Sequence, residues 1–171
     1  MSVKIIIVGD THAQFFEELP TKMIDLIQEA DRVIHVGDYV SKQVLDGFIG
    51  LKGQAFNGVC GNADPLAIRN VIPTQKIVEI SGKRIGITHP VNGGPSEKTK
   101  KRVLAMFKEE NVDIIVYGHT HDSEIDSMNN FLIINPGKGY IEKNSFNPPT
   151  SMAILTIGKK IKAKILKFNS Q

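Results

Sequence analysis

A chain of 171 residues with 41% hydrophobic and 23% charged side chains has material for one domain, residues 1–171, around a sizeable core, and excludes extensive disorder. Its 21 Lys and Arg against 18 Asp and Glu leave a formal charge of +3, too small to argue for nucleic-acid binding through bulk electrostatics. The one cysteine, Cys60, cannot make an internal disulfide, and no apolar run reaches spanning length, so a cytoplasmic protein without a membrane partner is expected.

The run Ile5-Ile6-Ile7-Val8 makes residues 3–8 a strand buried on both faces. Pro20 opens a helix over 21–30, with Met23, Leu26, Ile27 and Ala30 at helical spacing. Residues 33–36 form a second strand. Ser41 caps a helix carrying Val44, Leu45, Phe48 and Ile49 that ends near Gly50, and 55–59 is a third strand. This β-α-β-α-β order is that of a largely parallel sheet with crossover helices. The rhythm then changes. Strands over 77–80 and 84–88 flank Ser81-Gly82-Lys83, a hairpin signal. A helix is expected over 96–110, with Ser96 as N-cap and Val103, Leu104, Met106 and Phe107 as its apolar face. Strands follow at 113–117, 124–128 and 131–134, and a last hairpin pairs 152–157 with 160–168 about Gly158-Lys159. The expected fold is α/β: a four-layer α/β/β/α sandwich, two mixed sheets packed face to face with helices outside.

Polar residues sit where these strands end. Asp10 and His12 follow the first strand, Asp38 the second, and Asn62 and Asp64 the third. His89 follows 84–88, and His119 and His121 follow 113–117. In sheets with parallel strands, functional groups gather at the carboxyl edge, so these side chains should converge. Carboxylates, imidazoles and an amide oxygen, with no thiolate, suit divalent ions such as Mn²⁺, Fe²⁺, Zn²⁺ or Ni²⁺. Asp-x-His and His-x-His place both side chains on one side of an extended backbone. Gly9, Gly37, Gly61 and Gly118 each precede a candidate ligand and keep bulk out of a crowded site.

Each residue has an ordinary reading when taken singly. Asp10 and Asp38 are turn or cap residues, Gly61-Asn62 is a turn, and His89 is an unremarked histidine. The set is informative because four of five histidines fall at strand ends within it. The fifth, His35, lies inside an apolar strand and is assigned a structural role. Asp64 is read as a turn residue and Cys60 as buried filler. Lys98, Lys100, Lys101 and Arg102 read as a solvated helix face, and Asn92-Gly93-Gly94-Pro95 as a lid or a connector.

The order Gly-Asp-x-His, Gly-Asp, Gly-Asn, His, Gly-His-x-His, running from Asp10 to His121, resembles the calcineurin-like metallophosphoesterase superfamily, in particular its small single-domain YfcE-type phosphodiesterase branch. The resemblance implies two divalent metal ions, with Mn²⁺ the leading candidate. Asp10, His12 and His121 would hold the first, Asn62, His89 and His119 the second, and Asp38 would bridge them. Asp38, Asn62 and His89 are the expected catalytic residues. The implied activity is hydrolysis of a small phosphodiester by in-line attack of a metal-bridging hydroxide. Two ions, two aspartates and one hydroxide leave a single positive charge, which suits a diester monoanion better than a monoester dianion. Many relatives carry a histidine after Gly-Asn as leaving-group acid; Ala63 stands there, which favours activated leaving groups. Pro90 replaces a common glycine. Phosphomonoesterase or nucleotidase activity on the same site, and a non-catalytic interaction scaffold of the same fold, are the alternatives. A homo-oligomer is compatible with either.

Overall fold

The computed structural model describes residues 1–128, 130–141 and 148–168. Among them the elements run β1 (Val3–Val8), α1 (Thr21–Glu29), β2 (Arg32–His35), α2 (Lys42–Lys52), β3 (Phe56–Gly58), α3 (Leu66–Arg69), β4 (Gln75–Ile80), β5 (Lys83–Thr88), α4 (Ser96–Met106), β6 (Ile114–Tyr117), β7 (Glu124–Met128), β8 (Phe131–Asn135), β9 (Thr150–Ile157) and β10 (Ile161–Phe168). The strands form two five-stranded sheets, ordered β10-β9-β1-β2-β3 and β4-β5-β6-β8-β7.

Each sheet has a parallel centre. β1, β2 and β3 run together in the first, and β5, β6 and β8 in the second. Antiparallel strands flank these: β9 pairs with β1 and β10 with β9, while β4 pairs with β5 and β7 with β8. The two-residue side-chain period sorts β1 between two cores. Ile5 and Ile7 face inward, where they meet Ile85, Ile87, Ile114 and Val116 of the opposite sheet. Ile6 and Val8 face outward onto Met23 and Ile27 of α1 and Val44, Leu45 and Phe48 of α2. Behind the second sheet, Val103 of α4 and Phe107 pack on Ile115, Tyr117 and Ile133. The expected four-layer α/β/β/α sandwich is therefore the observed one. Truncating one of these fully buried isoleucines, such as Ile7→Ala, costs about 2–5 kcal/mol.

Local chemistry explains most element ends. Ser41 caps α2 as expected, its Oγ accepting from Gln43 N at 3.2 Å. The helix runs past Gly50 to Lys52 because Lys52 Nζ reaches the carbonyls of Gln28 and Ala30 at the end of α1, at 3.2 and 2.6 Å. Gly53, at φ +51°, then breaks it. The expected helix over 96–110 is corrected at both ends. Pro95, not Ser96, occupies the N-cap, and regular helix stops at Met106. Phe107 turns inward over Gly86, where an added Cβ would lie 2.7 Å from its ring. Arg84 holds the carbonyls of Glu110 and Asn111 at 3.1 and 2.9 Å and turns the chain into β6. The short α3 carries too few residues to show a periodic signal. No described helix is long and apolar enough to cross a membrane.

Candidate metal centre

The carboxyl ends of β1, β2, β3, β5 and β6 open onto one rim, and all seven residues named from the sequence meet there. Their arrangement repeats one unit: an oxygen between two imidazole nitrogens. Asp10 Oδ1 lies 3.8 Å from His12 Nε2 and 3.2 Å from His121 Nε2. Asp38 Oδ2 lies 3.5 Å from His12 Nε2 and 3.4 Å from His89 Nε2. Asn62 Oδ1 lies 2.9 Å from His89 Nε2 and 3.0 Å from His119 Nδ1. His12 and His89 thus each touch two of the three oxygens, and Asp38 stands between the other two groups.

The chemistry of these atoms fits divalent cations. Asp10 is fully buried, and both its Oδ1 and His12 Nε2 lack a hydrogen-bond partner among the described residues. A buried, unpaired carboxylate oxygen is costly without a counter-charge. Burial alone pushes the Asp10 carboxyl upward, but the surrounding imidazoles, His12 and His121 foremost, reverse this and hold it well below the usual carboxylate range. Burial likewise pulls His12 down, yet Asp10 and Asp38 outweigh it and raise its pKa to about 9. The negative charge gathered here is met by a proton on His12 or by a cation. Two clusters have ligand atoms within 4.8 Å of one another: Asp10, His12 and His121, and Asp10, Asp38 and His89. Carboxylates, imidazoles and one amide oxygen suit first-row divalent ions.

The backbone reason for convergence differs from the expected one. Asp-x-His and His-x-His are not extended. Asp10, His12, Asp38, His119 and His121 all have positive φ, from +42° at His12 to +98° at His119. Left-handed backbone is uncommon outside glycine, although Asp and His adopt it more readily than most residues, and it clusters at functional sites. Sharp reversals, not strand alternation, aim these side chains. Gly61 gives room: a Cβ there would lie 2.1 Å from Asp38 Oδ1.

Three neighbours hold the strained loops. Asp64, read from sequence as a turn residue, is buried, and its carboxylate accepts from the backbone N–H groups of Asp38 at 3.0 Å, Val40 at 2.8 Å and Gly61 at 2.7 Å. It therefore braces the loop that presents Asp38. His35 is buried, and burial holds its pKa well below the ordinary histidine value. Its Nδ1 accepts from Gly37 N at 3.1 Å, so Nε2 carries the hydrogen and donates to Thr11 Oγ1 at 3.1 Å. One neutral ring thus ties the Asp10 loop to the Asp38 loop, stacked on Tyr39 with ring centroids 3.7 Å apart. The third brace was missed in the sequence. The loop after β8 crosses between the sheets, and Gly139 N donates to the carbonyls of Gly9 and Asp10 at 2.8 and 3.0 Å. It brings the Tyr140 ring against His12 and His121, with centroids 5.3 and 5.8 Å away. Asn135-Pro136-Gly137, a turn directly after a strand, was the available signal.

Comparison with known proteins gives concordant results. Residues 3–160 match the calcineurin-like phosphoesterase superfamily domain. The chain is 32% identical over 163 residues to a probable metallophosphoesterase of Methanocaldococcus jannaschii, covering 94% of this chain and 79% of that protein. It is 30% identical over 156 residues to a phosphodiesterase of the same organism, covering 81% and 87%. In structure it resembles a conserved Streptococcus pneumoniae protein described as a predicted phosphoesterase, with a TM-score of 0.77 at 20% identity over 98% of this chain and 90% of that one.

Proposed function

The chain belongs to the calcineurin-like phosphoesterase superfamily, and we propose that it is a metal-dependent phosphodiesterase whose two divalent ions are held by the seven residues of the rim. Asp10, His12 and His121 would hold one ion, Asn62, His89 and His119 the other, and Asp38 would be shared between them. The observation that carries this reading is the position of Asp38 Oδ2, 3.5 Å from His12 Nε2 and 3.4 Å from His89 Nε2. One carboxylate oxygen faces a ring from each set, as a bridging ligand must. When bound, the ions supply positive charge to polarise the phosphoryl group and to lower the pKa of a water nucleophile.

The protein's own groups set orientation and charge. His89 donates Nδ1–H to the carbonyl of Val36 at 2.8 Å, which leaves its Nε2 lone pair for the cluster. Asp38 Oδ1 accepts from Ala63 N at 2.8 Å, so its Oδ2 is the free oxygen. The two aspartates against two divalent ions leave an excess positive charge suited to a diester monoanion. Lys138 adds no phosphate clamp, since it is 2% exposed and its Nζ lies over the Tyr140 ring, 4.7 Å from the centroid.

Nothing at position 63 can protonate a leaving group, because the side chain is a methyl. Asp64 does not substitute for it: its carboxylate is turned inward onto three backbone N–H groups. Substrates with acidic leaving groups, such as aryl esters, should therefore react faster than alkyl diesters.

The test is hydrolysis of a bis-aryl diester, an alkyl aryl diester and a mono-aryl ester by chelator-stripped protein, with Mn²⁺, Ni²⁺, Fe²⁺ or Zn²⁺ restored in turn. Metal-dependent recovery, greatest on the diesters and absent in Asp38→Ala, is expected. Activity without any metal would sink the reading. Faster turnover of the mono-ester would replace it with a phosphomonoesterase.

A further inference from the structure

The loop of residues 89–95, between β5 and α4, makes the next contact outward from the centre. Of the four imidazoles in the cluster, His12, His89 and His121 present Nε2, whereas His119 presents Nδ1. The loop supplies the reason. His119 Nε2 lies 3.0 Å from the carbonyl oxygen of Gly94. Asn62 Oδ1 and the Gly94 carbonyl both only accept, so the hydrogen of the neutral ring sits either on Nδ1 against Asn62 or on Nε2 against Gly94, and the Gly94 contact is what favours the form that leaves the Nδ1 lone pair toward the cluster.

The Gly94 carbonyl is in turn placed by Arg102. Arg102 Nη1 donates to the carbonyl of Gly93, and Nη2 to Thr99 Oγ1 at 3.3 Å. Thr99, fully buried, donates to the carbonyl of Pro95 at 3.4 Å. One guanidinium therefore grips both ends of the Gly93–Pro95 turn. The backbone lies directly on it: Gly94 has φ +109°, and a Cβ there would sit 2.8 Å from Nη1. Beside this grip is a cavity of about 150 Å³ whose lining includes His89, Val91, Asn92, Arg102 and Met106. The basic run on α4 is thus not one solvated face. Lys98 and Lys101 are exposed, Lys100 bonds Glu124 and Asp126, and Arg102 turns to the loop.

We propose that Arg102 is a positioning residue for His119, and that it holds the Gly94 carbonyl where it selects the imidazole tautomer that offers Nδ1 to the second metal position. This rests on the reading of His119 as a metal ligand. Loss of such an outer partner weakens metal binding by about 10–100-fold. The effect falls on one ion of the pair, because Arg102 and its loop touch none of Asp10, His12 or His121 in any of these bonds.

Two measurements on chelator-stripped protein test this. Calorimetric titration with Mn²⁺ counts the ions and ranks their affinities. The long-range ¹H–¹⁵N spectrum of the metal-free protein reads the His119 tautomer. In Arg102→Met, one ion should bind about 10–100-fold more weakly, the other as in wild type, and the Nε2–H tautomer should give way to a mixture. Arg102→Lys, which can reach Gly93 but not Thr99 together with it, should weaken the same ion by less, and it decides the question if the Met variant does not fold. His119→Ala is the reference. If it binds two ions with unchanged affinity, the ligand reading fails and takes this proposal with it. If it loses one ion while the Arg102 variants keep both affinities and the tautomer, the proposal alone is overturned. Equal weakening of both ions, or an unaltered tautomer, gives Arg102 a merely structural role and overturns it as well.

Discussion

The two ends of the parallel strands are built in opposite ways. At the carboxyl rim the chain buries Asp10, Asp38, Asp64, His35 and His89, and it holds Asp10, His12, Asp38, Val40, His119 and His121 at positive φ. At the amino rim charges stay in water. Lys83 and Asp113 pair at 3.0 Å with side chains 38% and 39% exposed. Among the described residues, positive φ recurs there at Gly53, Ser81, Gly82, Asn111 and Asn130, most of them residues suited to turns. Strain at a β-branched valine and buried carboxylates each cost about 1–3 kcal/mol or more. The same strands thus carry a costly, preorganised end and an inexpensive, solvated one. Stability is spent at the rim that carries the proposed metal centre.

Substitutions at the two rims should therefore differ in kind. The largest effect is expected at Asp38. Asp38→Ala should lower diesterase activity by about 10³-fold or more while the fold survives, as judged by circular dichroism and metal-saturated turnover. Survival of activity would break the contrast outright. Next is His35→Ala, which removes the buried ring between Thr11 and Gly37 and its stack on Tyr39. Denaturant unfolding should show a loss of about 2–4 kcal/mol, and metal affinity should fall with it. A loss of stability alone would show that the two loops are held without the ring.

Asp64→Asn is subtler. The amide is isosteric but has one accepting oxygen, so at least one of the three N–H groups loses its bond, at a cost of about 1–3 kcal/mol. Turnover should fall more than metal affinity, because the displaced loop carries Asp38, the proposed bridging residue. The smallest effect belongs to the amino rim. Lys83→Ala should cost about 0.2–1 kcal/mol and leave turnover unchanged. Asp113 adds a pH dependence of known sign. The Arg84 N–H and then Lys83 hold its carboxyl below its ordinary value, so its contribution is complete above the unfolded pKa of about 3.9 and fades as acid protonates the folded form. The stability gap between wild type and Asp113→Asn should therefore narrow from pH 7 to pH 3. A gap that widened in acid would mean that the rim's charges repel.

Much of the costly rim was legible because it is written at strand ends, where a run such as Ile5-Ile6-Ile7-Val8 stops at Gly9 and Asp10. Local signals also found the Ser41 cap and the Ser81-Gly82 hairpin. Other features had no local trace. Gly139 bonds Gly9 and Asp10 from far along the sequence, and no periodicity connects them. Asp64 looked like any turn residue, since its three partners lie in two separate loops. Arg102 was hidden in a basic run whose members do unrelated things. The Asp-x-His pair was found for the wrong backbone reason, because a two-residue period and a left-handed reversal leave the same pattern in the letters.

The pairing of β1 with β9 has a consequence for how the molecule comes into being. Val3 to Ile7 take their antiparallel partners from Ile157 back to Ala153, and Gly139 latches the Asp10 loop. During synthesis β1 must wait with one edge unpaired until β9 has been made. The segments for the parallel pairs β1–β2 and β2–β3 are made earlier, before the Gly139 latch. A chain cut before β9 therefore keeps all seven residues of the proposed centre and the Gly139 latch, yet leaves β1 without the partner that completes its sheet.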